Sequence, residues 1–125
     1  MINLITVDSV SSEIKEEVSV IVCGQKLTCF ASYLPYEVKV GGVYSAELLP
    51  VIFDNYIVEE VDFSKPKIVR KGLGYSYDFI GKLKDGCIYC GDLVFCDDVL
   101  LTDFGFLDGK LISWKIDRLD ILFSK

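Results

Sequence analysis

Tyr75-Ser76-Tyr77-Asp78-Phe79-Ile80-Gly81-Lys82-Leu83-Lys84-Asp85-Gly86-Cys87-Ile88-Tyr89-Cys90 decides the fold class. Tyr75, Tyr77 and Phe79 alternate with polar residues, the period of a strand with one buried face. Asp85-Gly86 suits a two-residue hairpin turn, and Cys87 to Cys90 begins the return strand. Downstream, Gly91-Asp92 predicts another turn before Leu93-Val94-Phe95-Cys96. Asp108-Gly109 precedes the alternating stretch Lys110 to Ile116, and Leu119 to Phe123 is apolar again. Upstream, Val18 to Cys23 and Leu27 to Ala31 flank Gly24-Gln25-Lys26, read as a turn, and Val43 to Leu49 follows Gly41-Gly42. The one helical signal is Ser11 to Glu17, with Ser11 or Ser12 as N-cap, and it is too short for a stable helix. Many short strands with turns about every ten residues predict an all-β domain, either a small barrel or a two-sheet sandwich.

The chain has 125 residues, 51% hydrophobic and 26% charged. One domain over 1–125 is expected, with a core too apolar for a disordered chain. A loop or linker is expected at 62–74, which holds Pro66, Gly72 and Gly74. Eight residues recur at an offset of 67, among them Cys23/Cys90, Gly24/Gly91, Cys29/Cys96 and Gly42/Gly109. The order strand, turn, strand, Cys-Gly, strand recurs with them. One β unit used twice, about 1–61 and 68–125, sharing one core, is therefore expected, although hairpin spacings of this kind are common in β proteins.

Val38-Lys39-Val40-Gly41-Gly42-Val43-Tyr44-Ser45-Ala46-Glu47-Leu48 resembles the lead-in to the fourth strand of OB-fold barrels. The resemblance covers roughly the first fifty residues and implies an OB-like barrel. The connection Ala31 to Lys39, where such barrels often carry a helix, contains Pro35 and has no helical period.

The longest uncharged stretch, Leu27 to Tyr36, has ten residues, about half of what a membrane-spanning helix needs. The first residues reach Asp8 without a basic segment, so no secretory signal and a cytoplasmic location are expected. Five cysteines, an odd number, then predict free thiols rather than a disulfide framework. Cys87-Ile88-Tyr89-Cys90-Gly91 has the spacing of half a zinc site, which Cys96, Cys23 or Cys29 could complete. In a strand, however, residues three apart face opposite sides. No metal or other cofactor is expected.

The chain has no histidine, which removes Ser–His and Cys–His nucleophile pairs. An enzyme would need carboxylate or lysine chemistry. The leading expectation is a non-enzymatic domain that binds another protein, since 19 acidic residues outnumber 13 basic ones. An acidic surface suits a basic partner, as in an immunity-type inhibitor of a cationic toxin or an adaptor domain. Tyr33, Tyr36, Glu13, Glu16 and Glu17 are its candidate contacts, the tyrosines because aromatic residues on a long loop make interface anchors. The alternative is an OB-type binder of single-stranded nucleic acid, through Lys65, Lys67, Arg70 and Lys71 with Tyr75 and Tyr77. Those four cations leave nine against nineteen acids elsewhere, a balance that repels a polyanion. A monomer and a dimer joined through strand edges are both compatible with these patterns.

Overall fold

The computed structural model describes residues 2–124. Its strands are β1 (Ile2–Val10), β2 (Glu17–Val22), β3 (Gln25–Phe30), β4 (Val43–Val51), β5 (Val58–Glu60), β6 (Lys67–Lys71), β7 (Ser76–Lys84), β8 (Cys87–Cys90), β9 (Leu93–Cys96), β10 (Leu111–Ile116) and β11 (Arg118–Phe123). A short helix, α1 (Asp98–Thr102), and a 3-10 turn (Gly105–Leu107) lie between β9 and β10. No helix among the described residues is long and apolar enough to cross a membrane.

Five strands close a barrel in the order β1-β2-β3-β11-β4, and the protein is an all-β, OB-like barrel with a second sheet attached. Alternation builds the barrel. Ile5, Val7, Val18, Val20, Val22, Leu27, Cys29, Ala46, Leu48, Leu119, Ile121 and Phe123 turn inward and are buried. The β2–β3 turn is Cys23-Gly24, at φ 49° and 76°, and β3 already begins at Gln25. The β7–β8 turn is Asp85-Gly86, at φ 52° and 78°. Positive φ at both positions gives a turn whose twist matches the strands it joins.

The remaining strands form the second sheet, in the order β5-β10-β7-β8-β9, with β6 also paired to β7. The nine-residue β7 serves two neighbours along one edge: its first part pairs with β6 and its last part with β8. Gly81 lies at the changeover, where a Cβ would stand 2.1 Å from the Tyr89 carbonyl oxygen.

The pairing pattern of the barrel recurs in this sheet. β1 pairs with β2 and β4, and β2 with β3; β7 pairs likewise with β8 and β10, and β8 with β9. From β2 to β4 the structural offset is 68, as from Val20 to Ile88 and from Ala46 to Trp114, both pairs buried, whereas β1 overlays β7 with Val7 at Leu83. Within β2 to β4 the identities at 67 are therefore one residue out of register. That slip overlays buried Cys29 on exposed Cys96, because one residue reverses the face of a strand. Nor are the two units consecutive halves. The barrel takes its last strand, β11, from the end of the chain, and β5 to β10 are inserted before it. One core cluster runs through both units.

Within 62–74, read from sequence as a loop, Lys67–Lys71 forms β6. Its Ile68 is buried against the barrel, and the Gln25 amide donates to the Ile68 carbonyl at 2.9 Å. The stretch from Ser11 forms no helix; the Ser11 hydroxyl instead caps a turn, accepting from Glu13 N–H at 3.2 Å and Ile14 N–H at 2.9 Å. α1 was not legible in the sequence, being five residues long, although Asp97 caps it by accepting from Val99 N–H.

The second sheet is seated on the outer face of β2 and β3. β3 joins β11 through a single residue pair, Phe30 with Asp120. Two residues earlier, Thr28 N–H donates to the Tyr77 hydroxyl at 2.7 Å, and that hydroxyl donates back to the Thr28 carbonyl at 3.0 Å. Tyr77 is 2% exposed, and beside it Ser19 and Thr28 share a buried hydroxyl contact at 3.1 Å.

Tyr77→Phe would leave both Thr28 backbone groups buried without that partner. A loss of about 2–4 kcal/mol is expected, since each unmet buried polar group costs about 1–3 kcal/mol. Urea unfolding checks it, with Tyr75→Phe as the control that should cost less than half as much. A second expectation concerns alkali. Burial pushes the Cys29 and Cys90 thiols from 9.0 up to about 12, and burial with the Asp97 hydrogen bond pushes Tyr56 from 10.0 up to about 12. The folded state holds these protons more tightly than the unfolded chain. Their stabilisation is thus intact below pH 9 and lost as pH rises toward 12. Denaturant midpoints should fall steeply across that window, and less steeply in a Cys29→Ala/Cys90→Ala variant.

Candidate functional site

The loops at one end of the barrel hold the acidic and aromatic candidates together. The β1–β2 loop carries Glu13 and Glu16, and the β3–β4 connection carries Tyr33 and Tyr36. Ala31 N–H donates to the Glu16 carbonyl at 2.7 Å and fastens the two. Tyr33 is 67% exposed and Tyr36 88%. Tyr33 forms the wall between two shallow depressions. One, of about 270 Å³, is lined by Lys15, Glu16, Ala31, Ser32, Tyr33 and Leu34. The other, of about 370 Å³, is lined by Tyr33, Pro35, Glu37, Leu122, Phe123 and Ser124. Sites of this size are at the small end for drug-sized ligands and suit individual side chains of a larger partner.

The connection is held in shape although it contains no helix. Lys39 N–H donates to the Tyr44 hydroxyl at 2.8 Å, and that hydroxyl donates to the Glu37 carbonyl at 3.2 Å. The Tyr44 ring meets Phe123 edge-on at 6.0 Å. Val38 N–H donates to the Pro35 carbonyl, and Gly41 N–H to that of Val7. An apolar face continues the site across β1, β4 and β11. Ile2 and Leu122 flank Glu47 in one row of the sheet, and Leu4 and Val43 lie nearby, all four at least half exposed. Glu37 and Leu122 were not singled out from sequence; only the fold brings β11 beside the β3–β4 connection.

Glu17 is partly engaged elsewhere, since its carboxylate accepts from the Tyr75 hydroxyl at 3.1 Å. Burial and this hydrogen bond raise the Tyr75 phenol above its ordinary value.

The basic stretch does not form one platform. Lys65 and Lys67 are exposed. The Arg70 guanidinium closes its own turn, donating to the Gly74 carbonyl at 2.9 Å and the Leu73 carbonyl at 2.7 Å. Lys71 pairs with Asp78 at 3.5 Å. Tyr75 packs edge-on against Phe30 at 5.6 Å. Tyr77 is buried, so its ring cannot stack on a base. OB barrels bind oligonucleotides on the face of strands 2 and 3, and here β6 and β7 cover that face.

The cysteines separate into three settings. Cys87 and Cys96 form a disulfide, which corrects the expectation of free thiols at these positions. The two residues stand directly opposite in the β8–β9 pair. Cys90 is a free thiol on the other, buried face of β8, as is Cys29 inside the barrel, while Cys23 is exposed in its turn. Cys87, Cys90 and Cys96 thus do not converge. Among the described residues, no three histidine, cysteine or acidic side chains are placed to hold a metal ion.

Tyr44→Phe should release the connection without unfolding the barrel. The Lys39 amide is expected to exchange with solvent at least tenfold faster, with a loss of global stability of about 1 kcal/mol. Hydrogen-exchange NMR checks it, and an unchanged Lys39 rate would count against Tyr44 as the clamp.

No curated protein and no solved structure matches the chain. Residues 1–124 match the model of one family, described as Uncharacterised conserved protein UCP019853, and the chain belongs to that family.

Proposed function

We propose that this protein is a non-catalytic, cytoplasmic binding module that takes a basic partner protein at the loop end of the barrel. The observation that carries this reading is the pair Tyr33 and Tyr36, 67% and 88% exposed on a connection held by the Tyr44 hydroxyl. A large ring kept in water gains most when a partner covers it, and a rigid loop loses little entropy on binding. Glu16 and Glu37 line the two depressions that Tyr33 divides and favour lysine and arginine on the incoming surface. The net charge of −6 acts in the same direction at longer range. The absence of histidine and the covered face of β2 and β3 both favour protein binding over catalysis or nucleic-acid binding. An inhibitor of a cationic toxin and an adaptor domain both fit this profile.

The test is capture from lysate of the source cells at low salt, comparing the native protein with a Tyr33→Ala/Tyr36→Ala variant. A basic polypeptide should be retained by the native protein, released as salt rises, and bound at least thirtyfold more weakly by the variant, the loss of about 2 kcal/mol expected of one interface anchor. Equal retention by the two proteins would sink the reading, and so would nuclease-sensitive retention.

A further inference from the structure

We propose that the Cys87–Cys96 disulfide is a reversible thiol–disulfide exchange site, which a small dithiol opens and a small disulfide re-forms while the chain stays folded. The first support is register. Cys87 and Cys96 are already opposite each other in the β8–β9 pair, joined through the two-residue turn Gly91-Asp92. The bridge closes only the ten residues of that hairpin. The inner face is held independently, since Ile88, Cys90, Leu93 and Phe95 are all buried in the core. Opening the bridge therefore removes no core contact.

The second support is access. Cys96 is exposed and Cys87 partly so, and exposed disulfides are the labile ones. In a reducing compartment such a bridge is open and closes under oxidation. The third is isolation. Cys29 and Cys90 are buried, and burial holds both as protonated thiols at neutral pH. Only thiolates attack a disulfide, so exchange is confined to external thiols and exposed Cys23.

The chemistry balances with a dithiol as reductant. One reductant thiolate attacks a protein sulfur, the S–S bond breaks, and the other cysteine leaves as thiolate and takes a proton. The second reductant thiol then displaces the first protein sulfur. Two electrons and two protons pass to the protein, and the reductant becomes a cyclic disulfide. Glutathione disulfide reverses the change and yields two molecules of reduced glutathione.

The site also connects to a spectroscopic reporter. Asp97, next to Cys96, donates its N–H to the Gly86 carbonyl at 3.0 Å, beside Cys87. Its carboxylate caps α1 through Val99 N–H and accepts from the Tyr56 hydroxyl, both at 2.8 Å. The Tyr56 ring stacks on Trp114 at 6.0 Å. Loosening the hairpin end thus reaches the one tryptophan of the chain.

Alkylation of the native protein with N-ethylmaleimide, read by intact mass, tests the proposal. One adduct is expected on the oxidised protein, at Cys23. Three are expected after dithiothreitol, at Cys23, Cys87 and Cys96, and one again after glutathione disulfide. Trp114 emission should change with each step, and should not respond to dithiothreitol in a Cys87→Ser/Cys96→Ser variant. That variant should fold, with Tm lower by no more than about 10 °C, the scale set by so short a ring. One adduct after dithiothreitol would show a sealed structural bridge. Five would show that opening unfolds the chain, and three that persist after glutathione disulfide would show that the bridge does not re-form. Each of these overturns the proposal, as does failure of the serine variant to fold.

Discussion

A barrel closed through a single residue pair leaves backbone groups without partners, and one tyrosine hydroxyl meets that need. Among the described residues β3 pairs with β11 only through Phe30 and Asp120, so the buried, unpaired edge of β3 at Thr28 requires a donor and an acceptor. The Tyr77 hydroxyl is both. Because Tyr77 belongs to β7, satisfying Thr28 also fixes where the second sheet sits. Other bonds follow in register: Gln25 to Ile68, Tyr75 to Glu17, Leu119 N–H to the Tyr75 carbonyl, and the Ser76 hydroxyl to the Asp117 carbonyl. Arg118 completes the seam, bonded to Asp120 at 2.6 and 2.9 Å and lying over Phe30 at 4.1 Å.

This seating decides what surface is left for recognition. The face of β2 and β3 lies under the insertion, and the β4–β11 connection has become the insertion itself. The exposed aromatic residues of the barrel then concentrate at the β3–β4 connection. Tyr44 uses there the same device as Tyr77, a hydroxyl placed between a backbone N–H and a carbonyl. The second instance is exposed, so it contributes less to stability and more to the shape of the loop.

The hairpins were legible because their determinants are local: Asp85-Gly86, the alternation of Tyr77 and Phe79, and Gly41-Gly42 before β4. The return of β11 to the barrel was not, because antiparallel pairing with β4 and a parallel contact with β3 depend on residues far apart in sequence. β6 was hidden by its composition, since Lys67, Arg70 and Lys71 face solvent and only Ile68 is buried. At the candidate site, exposure of Tyr33 and Tyr36 followed from their place in a Pro-containing loop. The burial of Tyr77 and the engagement of Arg70 required tertiary contacts. The disulfide was within reach: a two-residue turn at Gly91-Asp92 sets Cys87 opposite Cys96. The odd cysteine count points instead to free thiols.

The two units use one pairing pattern but fill their interiors differently, and closure explains why. A closed five-stranded barrel has a narrow interior, suited to Val18, Val20, Val22, Cys29 and Ala46. The second unit is not closed. β5 is three residues long, and among the described residues β9 pairs with β8 alone. The Tyr56–Asp97 hydrogen bond spans the place where the barrel has a strand contact. More space must then be filled, and Phe79, Phe95 and Trp114 fill it, with Trp114 where the barrel has Ala46. The exchange has a cost. Trp114 is fully buried, and its indole N–H has no hydrogen-bond partner among the described residues. Packing and desolvation of the ring outweigh one unmet donor of about 1–3 kcal/mol. The open unit is thus stabilised by aromatic volume, whereas the barrel is stabilised by closure.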